Sequence, residues 1–143
     1  MKIYFDNSVL NRPFDDQSIA KIRLETIATF FILELIEKRK IKLVNSSVIE
    51  YENSKNPFFK RKIWISAYLS KATFYQKINL KIKERAKEIT KLKITPIDSL
   101  HLSSAEVAKV DYFLTCDYNI IRKYKGNLKV MNPVDFIRLF KSK

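Results

Sequence analysis

Asp6 closes the run Lys2-Ile3-Tyr4-Phe5, Glu50 and Glu52 follow Ile41 to Asn45, Asp98 stands just after Thr95-Pro96-Ile97, and Asp117 ends the run Tyr112 to Cys116. Each carboxylate falls where a strand should end or a helix begin. Carboxylates that converge from separate segments repel one another, and a divalent cation is the usual agent that makes such a cluster tolerable and useful. In a chain with 28 Lys+Arg against 15 Asp+Glu, acids held at element ends point toward metal-dependent hydrolysis on a basic surface. Each acid alone would more often be a helix cap. The metal reading rests on Asp6, Asp98 and Asp117 falling together at one predicted edge of a sheet. Asp111 precedes its strand, at the end opposite Asp117, and reads as structural.

The elements that must position these acids can be traced from apolar spacing. Residues 2 to 6 read as a short buried strand, and residues 11 to 16 as a loop with Pro13 and paired Asp as breakers. From about 18 to 39 the chain looks helical, with Leu24, Ile27, Ala28, Phe31 and Leu35 on one face. Residues 41 to 44 form a second strand, after which Ser46 or Ser47 caps a short helix carrying Glu50 and Glu52. Two basic helices follow at about 58 to 73 and 77 to 91, read as a helical hairpin at about 57–93; Ile78, Ile82, Ala86, Ile89 and Leu92 form the apolar stripe of the second. A helix from Asp98 to about Lys109 turns Leu102 and Ala105 inward. Residues 111 to 116 are apolar enough for a strand buried on both faces of a parallel sheet. A helical segment at 118 to 124, a brief strand at 128 to 131 and a last helix at 133 to 140 complete the chain. This alternation predicts an α/β sandwich with a mostly parallel sheet and right-handed crossovers, in which ligands sit beyond the carboxyl ends of the strands.

At 143 residues, 46% hydrophobic, the chain fits one packed domain. Its single cysteine, Cys116, excludes an internal disulfide framework and reads as an inert core thiol, and no Cys/His spacing suits zinc. The start lacks the apolar region of a signal peptide and no run reaches a spanning length of about 20 residues, so a soluble cytoplasmic protein is expected. The net charge of +13 is uneven: residues 55 to 93 hold twelve Lys/Arg and two acids, a net +10. Counterion release rewards such a concentration on a polyanion, which makes nucleic acid the leading partner and Lys81, Arg85 and Lys87 candidate backbone contacts. The bland alternative is a solvated helical face. His101, the only histidine, reads as a hydrogen-bonded packing residue rather than a base. Trp64, Tyr68 and Tyr75 suit base stacking or core filling, and their spacing does not decide between the two.

Three segments together resemble a known family: Ile3-Tyr4-Phe5-Asp6-Asn7-Ser8-Val9-Leu10-Asn11-Arg12-Pro13, Pro96-Ile97-Asp98-Ser99-Leu100-His101-Leu102-Ser103-Ser104-Ala105-Glu106, and Asp111-Tyr112-Phe113-Leu114-Thr115-Cys116-Asp117. In order and spacing they look like the best-marked segments of PIN-domain proteins, the fold of VapC-type toxin ribonucleases. The resemblance implies a PIN-like three-layer sandwich, a central mostly parallel sheet flanked by helices, over the single domain 1–143. It also implies acids gathered at one end around Mg²⁺ or Mn²⁺. Asp6 would be the first acid, Asp98 the third and Asp117 the fourth, with Ser8 and Thr115 as supporting hydroxyls. The second is a helical Glu: counting six from Ser46 gives Glu52 and counting four gives Glu50. Residues two apart do not share a helix face, so only one should reach the metal, and the family's spacing favours Glu52. The implied activity is an endoribonuclease, the toxin of a type II toxin–antitoxin pair, with RNA as substrate, a cognate antitoxin as partner and a homodimer as the usual assembly. A non-catalytic RNA-binding adaptor, and a DNA-directed nuclease or phosphatase using the same carboxylates, are the alternatives.

Overall fold

The computed structural model describes residues 1–141. Its centre is β1 (Lys2–Phe5), in which Ile3, Tyr4 and Phe5 are fully buried. A strand flanked on both sides and covered on both faces has no solvent side to alternate toward, so its apolar residues run consecutively. β1 pairs in parallel with β2 (Lys42–Ser46) and with β4 (Tyr112–Leu114). A third strand, β3 (Phe74–Gln76), lies outside β2, and β5 (Val130–Met131) lies outside β4, both parallel. The order is β3-β2-β1-β4-β5, an all-parallel α/β sheet flanked by helices, as expected.

The helices are α1 (Asn7–Asn11), α2 (Ala20–Glu37), α3 (Ser47–Ser54), α4 (Phe59–Leu69), α5 (Leu80–Thr90), α6 (Pro96–Val107), α7 (Tyr118–Lys123) and α8 (Pro133–Lys141). The chain moves outward from β1 through β2 to β3, then crosses back to β4 and β5 on the other side. Right-handed crossovers therefore place α2 to α4 on one face and α5 to α7 on the opposite one. The reversal makes the gap between β1 and β4 the switch point of the sheet, the place where open α/β sheets hold ligands beyond their strand ends. Asp6 follows β1 and Asp117 lies three residues past β4, at that gap. None of the described helices is long and apolar enough to cross a membrane.

Two expectations from spacing are corrected. First, the basic hairpin at 57–93 is not one: β3 stands between α4 and α5 and adds an edge strand to β2. Three residues among basic neighbours carry too little pattern to mark a strand, and parallel pairing to β2 supplies what the local sequence lacks. The two helices then pack with different partners, α4 on α3 and α5 on α6. Second, α2 turns a different face inward. Ala28 and Leu35 are buried, but Leu24, Ile27 and Phe31 are exposed, and Glu25, Thr29, Ile32 and Ile36 are buried instead. The helix is apolar around most of its circumference, so periodicity alone cannot orient it; the buried ion pair of Glu25 with Arg12 belongs to the inner face. The α5 stripe does point inward at Ile82, Ala86 and Ile89, as do Leu102 and Ala105 of α6.

Candidate active site

Asp6 is 3% exposed at the end of β1. Its Oδ1 accepts from Ser8 Oγ at 2.6 Å and from the Val9 amide at 3.2 Å, and its Oδ2 accepts from Thr115 Oγ1 at 2.5 Å. Ser8 also accepts from the Cys116 amide at 2.9 Å, and Thr115 accepts from the Asp117 amide at 3.0 Å. The two hydroxyls thus lace the start of α1 to the chain leaving β4, across the switch point. Both were expected as supporting groups, and both contact the first acid.

The remaining acids come from separate elements. Asp98 lies in the first turn of α6, where Pro96 and the Thr95 cap start the helix; Thr95 Oγ1 donates to Asp98 Oδ2 at 2.8 Å. Asp117 Oδ1 accepts from the Asn119 amide at 2.9 Å and caps α7. Asp6 likewise caps α1. Asp6 and Asp117 therefore combine capping with a place at the carboxyl edge of the sheet, while Asp98 stands in a first turn capped by Thr95.

Glu50 and Glu52 part company. Glu52 Oε1 is 2.6 Å from His101 Nε2 on α6, on the side of Asp98. Glu50 accepts from the Tyr75 hydroxyl at 2.9 Å and from Asn45 Nδ2 at 3.4 Å, over toward β3. It borders a separate polar cavity of about 330 Å³ that Asn53, Lys62 and Ser66 also line.

The acids feel one another. Burial lifts the Asp6 carboxyl from 3.8 to about 6; Ser8, Thr115 and His101 pull it down, and the charge of Asp98 adds to the rise. Asp98 is raised as well, first by burial, with Thr95 and His101 opposing and Glu52 and Asp117 adding repulsion. Asp98 is the member coupled to all three others. Among the described residues, no three His, Cys, Asp or Glu groups stand close enough to ligate a single ion in this side-chain arrangement. Asp98, Glu52 and Asp117 each keep one carboxylate oxygen outside the hydrogen bonds named above.

His101 is fully buried and hydrogen-bonded, as expected of a packing residue, but its partners are Glu52 and the Tyr4 hydroxyl. Tyr4 carried one overlooked signal: a phenol in a strand buried on both faces must find a partner for its hydroxyl. Cys116 is 5% exposed and burial pushes its thiol up to about 12, the behaviour of an inert core group. Trp64 packs edge-on to Phe14 and Phe30 and against Tyr68, and Tyr75 is tied to Glu50.

The basic candidates separate too. Arg85 Nε and Nη2 reach Glu106 at 2.8 and 3.1 Å, and Nη1 reaches Glu88 at 2.8 Å. Its guanidinium joins α5 to α6 instead of facing solvent. Lys81 and Lys87 are exposed. Lys81 lies in the first turn of α5, just past the end of β3 that shares the sheet edge with Asp6.

Three solved structures share the architecture. VapBC2 from Rickettsia felis, solved bound to a DNA fragment from its promoter, aligns with TM-score 0.64 at 18% identity over 92% of this chain and 98% of its own. PAE2754 from Pyrobaculum aerophilum gives 0.60 at 15%, covering 99% and 90%. The fold is the PIN-domain fold. FitAcB from Neisseria gonorrhoeae aligns with TM-score 0.54 at 15% identity over 92% of this chain and 97% of its own. Such identities establish the PIN architecture and leave the chemistry to the residues. No family model and no curated protein sequence matches the chain.

Proposed function

We propose that this PIN-fold chain is a Mg²⁺- or Mn²⁺-dependent endoribonuclease and the toxin of a toxin–antitoxin pair. The observation that supports the reading is that Asp98 interacts electrostatically with Asp6, Glu52 and Asp117, acids borne by four separate elements. The donors are all hard carboxylate oxygens, with no thiolate and no solvent-facing imidazole, a set that suits Mg²⁺ or Mn²⁺ and not a soft metal. Mutual repulsion and a carboxyl held near 6 are what a bound cation would relieve.

Asp6 and Asp117 would hold the ion, and Glu52 and Asp98 would hold it or position its water. Side-chain rotation at the half-buried Asp98 and Asp117 would bring their oxygens toward Asp6 and Glu52. When bound, the cation supplies an activated water and offsets charge on the phosphate. The protein's own part is orientation. Ser8 and Thr115 fix the Asp6 carboxylate, and burial keeps bulk water from its oxygens. Lys77 and Lys81, leaving the sheet at the same edge, would hold the RNA backbone there.

The antitoxin assignment is supported by the VapBC2 likeness and by uncovered apolar surface. Leu24, Ile27, Phe30 and Phe31 of α2, with Phe59 and Ile63 of α4, are all exposed, more than scattered surface apolars account for. The test is incubation of purified wild type and Asp6→Asn with RNA, single-stranded DNA and duplex DNA in Mg²⁺, Mn²⁺ or EDTA. Cleavage of RNA by wild type alone, abolished by EDTA, is expected. Equal cleavage by Asp6→Asn would overturn the assignment; wild-type cleavage confined to DNA would redirect it, and RNA retention without cleavage would leave an adaptor.

A further inference from the structure

A chain of buried hydrogen bonds begins and ends on α3. Ser46, the N-cap of α3, accepts the Ile49 amide at 3.1 Å, and its Oγ lies 2.7 Å from the Tyr4 hydroxyl. That hydroxyl lies 2.7 Å from His101 Nδ1, and His101 Nε2 lies 2.6 Å from Glu52 Oε1. Ser46, Tyr4 and His101 are each 0% exposed, so no water competes for these bonds.

A carboxylate only accepts, so Nε2 carries a hydrogen and donates it to Glu52. The Tyr4 hydroxyl can give or take a hydrogen and serves Nδ1 in either role, and Ser46 Oγ, which accepts from Ile49, closes the series behind it.

We infer that His101 is a positioning residue: anchored by Tyr4 and Ser46, it fixes Glu52, and not Glu50, on the side of Asp98 as an acid of the metal site. This rests on the proposed metal-dependent function. A Glu side chain has three rotatable bonds to immobilise, and a donor on a ring locked at both nitrogens immobilises them before the ion arrives. Tyr4 suits the anchor because its ring is itself clamped, stacked at 5.3 Å and 11° on Phe113.

The test is Mn²⁺ titration calorimetry on RNA-free protein, with single-turnover rates and KM for RNA alongside. His101→Asn keeps an amide near Tyr4 but cannot reach Glu52; a loss of about tenfold or more in Mn²⁺ affinity and in rate, with KM unchanged, is expected. His101→Gln places an amide donor near the position of Nε2 and should stay within about threefold of wild type. Tyr4→Phe keeps the stacked ring, loses only the hydroxyl and should fall between them. In a Glu52→Gln background, His101→Asn should have no further effect, because both act through one group. The single histidine also gives an unambiguous ¹⁵N signal, expected to report a protonated Nε2 in wild type.

Equal losses in His101→Asn and His101→Gln, or a full His101→Asn loss surviving in the Glu52→Gln background, would mean packing alone and overturn the inference. Wild-type binding that is lost in Asp6→Asn but intact in His101→Asn would overturn it while leaving the function standing. Wild type binding no Mn²⁺ at all would overturn both.

Discussion

Replacing Asp6 with Asn tests the electrostatics of the site without reference to any substrate. The folded protein holds this carboxyl at about 6 against 3.8 ordinarily. A raised folded pKa means that the native state binds the proton more tightly than the unfolded chain. Its favourable contribution is complete below about 4 and is lost as pH climbs through 6. A shift of about 2 units corresponds to about 3 kcal/mol of stability missing at neutral pH in metal-free protein. Asn keeps an oxygen for Ser8 and the Val9 amide but puts a donor opposite Thr115 Oγ1, costing about 1 kcal/mol through the altered hydrogen bond. The net expectation is a variant about 2 kcal/mol more stable than wild type at pH 7.5, and about 1 kcal/mol less stable at pH 4.

Urea unfolding in EDTA at half-unit steps from pH 4 to 8, followed by Trp64 fluorescence, would measure the difference directly. The sign should cross between pH 4 and 6. Added Mn²⁺ at about 100 times its Kd should then stabilise wild type by about 2.7 kcal/mol and the variant hardly at all. A stability difference that stays flat across this pH range would refute the argument, since Asp6 would then not be the buried charge that the geometry makes it.

Glu52→Gln should reduce RNA cleavage about tenfold or more, while Glu50→Gln, bonded to Tyr75 and Asn45 instead, should stay near wild type in the same assay. Lys81→Gln and Lys87→Gln should each lower the slope of log affinity against log salt for single-stranded RNA by about 0.7, read by fluorescence anisotropy. Arg85→Gln should leave that slope alone and lower the urea midpoint, because it removes the two-bond ion pair with Glu106 at the α5–α6 contact and leaves that acid only the Tyr124 hydroxyl. Glu25→Ala should cost about 3–5 kcal/mol in urea unfolding, since it removes the buried one of the two carboxylates that pair with Arg12 and takes away the acceptor of Asn132 Nδ2.

What could be read from the chain follows from how local the cause is. The apolar run Ile3 to Phe5 and the Thr95-Pro96 helix start are local, and they placed Asp6 and Asp98 at element ends that the fold brings together. The outward turn of Leu24, Ile27 and Phe31 was not legible, because nothing within α2 distinguishes its apolar faces. The deciding residue is Glu25, whose partners Arg12 and Asn132 lie 13 and 107 positions away. β3 was missed for a related reason: Phe74–Gln76 becomes a strand through its register with Val44 to Ser46. The partners of His101 are likewise distant, 97 positions to Tyr4 and 49 to Glu52.

The same distinction recasts the basic surface. Read by type, arginine and lysine were equal candidates to hold a phosphate backbone. The fold instead engages the planar fork of arginine internally: Arg12 with Glu25 and Asp15, Arg61 with Asp15 and the Phe14 carbonyl, Arg85 with Glu106 and Glu88. Arg85 grips both oxygens of Glu106 and so joins α5 to α6, while Arg12 and Arg61 each divide their donors between two partners. The charge left facing solvent in the 55–93 stretch is then mostly lysine, a compact ion on a flexible stem that attracts phosphate without reading a base. A surface of that kind holds RNA strongly at low salt and with little sequence preference. On the proposed function, any choice of cleavage position would then come from Asp6, Asp98 and Asp117 and from Glu52, whose carboxylate His101 holds from behind.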